Sequence, residues 1–186
     1  AAGLLAMGSS ASAAEPRDLD VQNFRPAMDS KGFITVERSK ALGTFEPSIG
    51  LFMNYSFNPL SQSIDGEEQE LIDSFGTGNF VLAMGFANIV EIGANVPMVI
   101  VRGDPDGQGD EEELAGDGLG DITLSLKVRL LDRERYPVGI ALVPQVALDT
   151  GENDIFASQG QAVLMPKVVF DFDLGKRVGF AVNLGA

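Results

Sequence analysis

The sequence predicts an all-β fold, an antiparallel up-and-down transmembrane β-barrel of which about seven strands are visible. Three observations lead there. Stretches of roughly seven to fourteen residues alternate apolar with small or polar side chains, the period of a strand with one apolar face. The connections between them alternate long and short, as when strands weave through a bacterial outer membrane with tight turns inside and loose loops outside. No apolar run reaches the roughly 18 to 20 residues of a spanning helix, so a membrane protein of this composition crosses with strands.

The first residues, 1–7, are apolar, and Ala11-Ser12-Ala13-Ala14 follows as an A-x-A cleavage site. Residues 1–14 therefore read as a partial signal peptide whose charged start is missing, with the mature chain beginning near Glu15-Pro16. Residues 15–47 form an N-terminal leader segment, irregular or carrying one short strand in the alternating patch 33–38, and equally readable as a flexible leader. The barrel occupies residues 48–186.

Its first strand, 48–58, puts Ile49, Leu51, Met53, Tyr55 and Phe57 on one face. A long connection, 59–78, follows. Residues 80–86 set Phe80, Leu82, Met84 and Phe86 against Val81, Ala83 and Gly85, and a tight reversal at Ala87-Asn88 leads into 89–101. There Val90, Ile92, Ala94, Val96, Met98 and Ile100 share a side, before a strongly acidic connection over 102–120.

The clearest alternation is 121–131: Ile122, Leu124, Leu126, Val128 and Leu130 face one way, Asp121, Thr123, Ser125, Lys127 and Arg129 the other. A one-residue slip would put both cations in lipid at about 2 to 4 kcal/mol each, so the facing is well determined. A short turn at 132–137 leads to a strand over 138–149, and a loop over 150–163 leads to one over 164–174. The turn at Gly175-Lys176 is the tightest, and the last strand runs from Val178 to Gly185. Seven is odd where single-chain bacterial barrels are even, so the chain is expected to be cut at its C-terminal end with at least one more strand beyond it.

Composition excludes several functions. The chain has 186 residues, no cysteine and no histidine, which removes disulfides, thiol nucleophiles, Ser-His-Asp triads and histidine-held metals. A net charge of −14 argues against nucleic acid as a partner. Asp171 and Asp173 alternate on one strand with no nucleophile beside them, so no enzyme and no catalytic residue is expected. Asp104, Asp106 and Asp110 form the densest set of hard oxygen ligands, but the D-x-D-x-D-G spacing of a calcium loop is broken at Gln108; the expected cofactor and metal are none. The candidate functional residues are lumen-lining: Asp121, Lys127, Arg129, Gln145, Lys167, Asp171 and Asp173, which either set ion preference in a water-filled pore or pair with one another to fill a plugged one.

Against a membrane barrel stand the absence of Trp, only two Tyr, and Pro97, Pro144 and Pro166 inside strands. For it stand small residues on the inner face, among them Gly50, Gly85, Gly93, Gly139, Ala141, Gly179 and Ala181, suited to a narrow interior.

Residues 21–27 (VQNFRPA), Ser48-Ile49-Gly50-Leu51, Asn54-Tyr55, Asn58-Pro59-Leu60, Gly118-Leu119-Gly120-Asp121 leading to Lys127, and Asn183-Leu184-Gly185 together resemble the N-terminal barrel region of large OmpA-family outer-membrane proteins of the myxobacterial type. That resemblance implies outer-membrane lipid as a partner, and peptidoglycan through a further C-terminal domain. Gly118-Leu119-Gly120-Asp121 followed by Leu148-Asp149-Thr150-Gly151 is also similar to outer-membrane channels of the phenol-degradation type, whose loop carries proline where this chain has Asp149. The expectation is a barrel in the outer membrane of a Gram-negative bacterium, with a structural and anchoring or a passive small-solute channel role. The alternative is a soluble periplasmic β-sandwich or barrel that binds an apolar ligand or a partner protein.

Overall fold

A computed structural model describes residues 24–64, 67–103, 114–152, 157–175 and 178–185. The signal-peptide reading of 1–14 and the acidic loop 104–113 lie outside the described residues. Among these residues eight strands form one antiparallel sheet: β1 (Pro47–Ile64), β2 (Glu67–Phe86), β3 (Val90–Gly103), β4 (Leu114–Leu119), β5 (Thr123–Leu131), β6 (Gly139–Ala147), β7 (Val163–Leu174) and β8 (Val178–Gly185). The order is β1-β2-β3-β5-β6-β7-β8, each strand beside its neighbour in sequence, and the sheet curls into a half-barrel with no helix among the described residues.

The eighth strand reconciles with the expected seven. β4 pairs with the far half of β3, from Met98↔Leu119 to Gly103↔Leu114, while β5 pairs with its near half, from Val90↔Val128 to Asn95↔Thr123. The two are one ribbon broken at residues 120–122, opposite Pro97, whose carbonyl accepts the Gly120 N–H at 2.9 Å. Part of the connection expected over 102–120 is therefore strand.

The connection expected over 59–78 is strand as well. β1 continues to Ile64 and β2 starts at Glu67, paired Ile64↔Glu67, with register shifts around Leu60. Glu67, Glu68 and Glu70 carry no apolar alternation, so a period-two reading misses a hairpin arm held by its backbone ladder.

The internal prolines sit where the ladder does not need them. Pro144 faces Pro166 across β6 and β7. On the β5 side of Pro144 the ladder skips from Ser125↔Gln145 to Val128↔Leu142, and Pro166 lies one residue beyond the last β7–β8 pair, Lys167↔Gly185. The missing N–H groups fall at gaps and edges. At the reversal between β2 and β3, Ala87 and Asn88 both have positive φ, 52° and 56°, the conformation of a two-residue hairpin turn.

The facing of the strands is the reverse of a water-soluble sheet with one buried apolar face. Leu124 and Leu126 are 42% and 40% exposed while Lys127 between them and the next turn is 1% exposed. The same holds on β1, where Ile49, Leu51, Met53, Tyr55 and Phe57 are exposed, and on β8, where Val178, Phe180, Val182 and Leu184 are. The inner face buries Thr77, Asn79, Glu91, Asn95, Thr123, Ser125, Gln145 and Asp171 beside apolar Phe75, Val99, Val101, Val143 and Val169. The N-terminal segment packs against that inner face.

Candidate functional site

Residues 24–46 have no regular secondary structure, yet Ala27, Met28, Asp29, Glu37, Ser39, Ala41 and Leu42 are buried. A buried irregular backbone needs partners for its N–H groups, and here the wall of the sheet supplies them as side chains. Glu37 N–H donates to Asn183 Oδ1 on β8 (2.8 Å), Ser39 N–H to Asp171 Oδ1 on β7 (3.0 Å), and Leu42 N–H to Glu91 Oε2 on β3 (3.0 Å). The segment thus crosses the inner face as a strap from β8 to β3. It is a docked element rather than a loose leader.

Two glycines make room for it. A Cβ on Gly85 would stand 2.5 Å from the Leu42 carbonyl oxygen, and one on Gly139 would stand 2.6 Å from Asp171 Oδ1 and overlap the Ser39 hydroxyl. The small inner-face residues read from the sequence as lining a narrow interior are, at these two positions, the clearance for the strap.

Lys127 is the electrostatic centre. Its Nζ contacts Asp29 Oδ2, lies 2.9 Å from Glu37 Oε2 and 3.9 Å from Glu91 Oε1, and all four side chains are essentially inaccessible. Gln145 Nε2 donates to Glu37 Oε1 at 3.4 Å, and Lys167 Nζ approaches the same oxygen at 3.6 Å. A buried charge set of this kind adds little net stability against an apolar equivalent, but breaking one member leaves uncompensated charge, so it fixes where the strap sits.

A second cluster lies toward the short-turn end. Arg38 and Arg133 both pair with Asp173 Oδ1 (3.2 and 2.8 Å) and lie 3.4 Å from Asp171 Oδ2. Of the residues expected to line the lumen, Lys127, Gln145 and Lys167 meet at Glu37, and Asp171 and Asp173 meet at Arg38. Arg129, still in β5, turns its side chain to Asp132 (3.3 Å), three residues on in the turn. Pairing among the wall charges runs largely through the strap: Asp29, Glu37, Arg38 and Ser39 were not among the candidates, nor were Glu91 and Asn183. Glu91 had a readable signal, being the one charged residue between positions 80 and 101.

Asp121 lies apart, at the long-loop end. Its Oδ1 accepts the N–H groups of Thr150 (3.2 Å) and Gly151 (2.9 Å), and its Oδ2 that of Gln159 (3.0 Å). Thr150 Oγ1 in turn accepts the Ile122 N–H at 2.9 Å. Gly118-Leu119-Gly120-Asp121 and Leu148-Asp149-Thr150-Gly151 are therefore two halves of one knot that pins the β6–β7 loop across the β4–β5 break. No group of three or more acidic side chains suited to hold a metal occurs among the described residues. On the opposite, outer face, a groove of about 820 Å³ runs straight across the strands through paired positions, from Ile49 on β1 by Leu82, Ala94, Leu124 and Val146 to Leu164 on β7.

An antiparallel half-barrel with an apolar exterior and a charged, strapped interior defines a barrel-type protein. The chain belongs to the family described as "Putative MetA-pathway of phenol degradation", whose pattern matches residues 72–186, more than half of the chain. The match covers both halves of the Asp121 knot and falls on the second of the two resemblances read from the sequence; nothing corresponding was found for the OmpA-type one. No curated protein and no solved structure matches the chain.

Proposed function

We propose that the protein is an outer-membrane β-barrel of the Gram-negative envelope with a structural role or one in passive passage of small solutes, and that it is not an enzyme. The observation that carries this reading is the inverted facing: Leu124, Leu126, Ile49 and Leu184 point away from the chain while Lys127, Glu91 and Asp171 are buried within it. In water such an exterior exposes an apolar area far larger than a soluble monomer tolerates, whereas lipid acyl chains cover it at no cost. Bilayer lipid is then the partner of the outer face. Family membership and the half-barrel support a barrel-type protein.

The outer-face groove favours a second reading, a soluble periplasmic protein that takes an apolar ligand on the same face. Gel migration after extraction in mild detergent separates the two. A membrane barrel runs as a compact species unheated and as a slower one after boiling, and needs detergent to leave the membrane; a soluble binder is released in plain buffer and stays monomeric there, which would overturn the proposal.

A further inference from the structure

We infer that residues 24–46 are a removable plug of the barrel interior and that Lys127 is its latch. The inference rests on the membrane-barrel reading and adds to it a closed resting state with a defined point of release.

Three features distinguish a plug from an ordinary part of the wall. From Glu37 to Leu42 the strap is bound to the sheet by wall side chains, those of Asn183, Asp171 and Glu91, so it can leave without unzipping a strand ladder. Backbone pairing with the sheet is found at the corner into β1, where Phe45 N–H donates to Gly85 O (2.8 Å) and Gly85 N–H to Glu46 O (3.1 Å). That corner is a hinge about which the strap can swing while β1 stays in place.

The third feature is the charge count at the latch. Asp29 and Glu37 belong to the strap, Glu91 to the wall, and all three carboxylates lie within ion-pair distance of the one Lys127 ammonium. With Lys127 present, the strap's two acids are drawn to the wall. With it removed, Asp29 faces Glu91 without a cation and Glu37 keeps only Lys167, 3.6 Å away, in a space closed to water, and repulsion together with lost solvation drives the strap out. The contacts reach β3, β5, β6, β7 and β8, so a seated strap lies against five of the strands.

The test is conductance of the purified full-length protein in a planar lipid bilayer, with heat-modifiable migration recorded for each variant. Wild type should insert and stay closed, and Lys127→Met should raise the open conductance at least tenfold. The chain lacks cysteine, so a single staple can be added: a Cβ on Gly93 stands 3.2 Å from Met28 Cβ, a few tenths of an ångström inside the disulfide range, and 2.7 Å from the Ser125 hydroxyl, so the strap backs off slightly and Ser125 rotates as the bridge closes. Met28→Cys with Gly93→Cys in the Lys127→Met background should return conductance to the wild-type level when oxidised and release it again on reduction.

If Lys127→Met does not fold, Asp29→Asn with Glu37→Gln loosens the same latch from the strap side and should open the barrel in its place. Variants that insert and migrate as folded barrels yet conduct like wild type would overturn the plug and leave the barrel reading standing. A wild type as conductive as the variants would do the same. Failure of every form, wild type included, to insert or to show heat-modifiable migration would bring down both.

Discussion

Glu37 and Asn183 exchange a reciprocal pair of hydrogen bonds: the Glu37 N–H donates to Asn183 Oδ1 at 2.8 Å, and Asn183 Nδ2 donates back to the Glu37 carbonyl at 3.0 Å. The side-chain amide of β8 thus does for the strap what a neighbouring strand would do, satisfying donor and acceptor of one buried residue. Asn183→Asp keeps the acceptor and replaces the donor by a second oxygen facing the carbonyl. We expect it to lower stability by about 1–3 kcal/mol, the cost of a buried polar group left without its partner. The midpoint of denaturant unfolding in detergent, compared with wild type, measures it.

Much of the sheet was legible because its outer face is uniform. In β5 the run Leu124, Leu126, Val128 and Leu130 fixes the facing with a period of two, and Lys127 and Arg129 forbid the slipped register. The β1–β2 arm beyond Phe57 was not legible, since Glu67, Glu68 and Glu70 are held by ladder bonds that leave no trace in side-chain pattern. The strap was hidden for a related reason. An irregular segment has no period, and its partners Glu91, Lys127, Asp171 and Asn183 are scattered over four strands, so only the folded sheet brings them together. What could be read was the demand for it: Glu91 alone in an apolar run, and glycines at 85 and 139 on the inner face.

The clearance at Gly139 can be tested against a glycine that has room. An added Cβ at Gly139 stands 2.6 Å from Asp171 Oδ1, the oxygen that accepts the Ser39 N–H, so Gly139→Ala displaces the strap from β7. An added Cβ at Gly78 meets only Met98 Cε, at 3.7 Å, an ordinary contact. Gly139→Ala is expected to cost about 1–3 kcal/mol, as overpacking does. Gly78→Ala should fall within about 0.5 kcal/mol of wild type. Unfolding midpoints of the two variants, measured side by side, decide it.

Glu46, just before β1, is held below the ordinary carboxyl value of 4.5, first by its hydrogen bond from the Lys31 ammonium and then by the Gly43 N–H, 2.7 Å from Oε2. A depressed carboxyl contributes stability that is complete above pH 4.5 and is lost as the pH falls through the lower, folded value. The group is exposed to solvent, so salt screens the effect and it shows best as a titration of that one residue. Carbon NMR of the Glu46 carboxyl should give a midpoint below 4.5, and Lys31→Met should move it back up. A Glu46 midpoint unmoved by Lys31→Met would mean that the pair does not form.

The Asp121 knot predicts a local effect where the strap predicts a global one. Its carboxylate takes three backbone N–H groups, from Thr150, Gly151 and Gln159, all on the far side of β6 from its own ribbon. Gly151 sits so close that an added Cβ would be 2.9 Å from the Asp121 nitrogen, so the loop packs directly against the β4–β5 break. Asp121→Ala removes both acceptor oxygens, and with them all three bonds, and leaves the β5–β6 ladder, Thr123↔Ala147 onward, intact. Amide hydrogen exchange should therefore speed up by more than tenfold at Gly151 and Gln159, about 1.4 kcal/mol or more of lost local protection, while the amides of Ser125 and Val143 hold their rates. Uniform acceleration across β5 and β6 would show instead that Asp121 supports the whole wall, and that the knot is part of the fold's global stability rather than a pin for one loop.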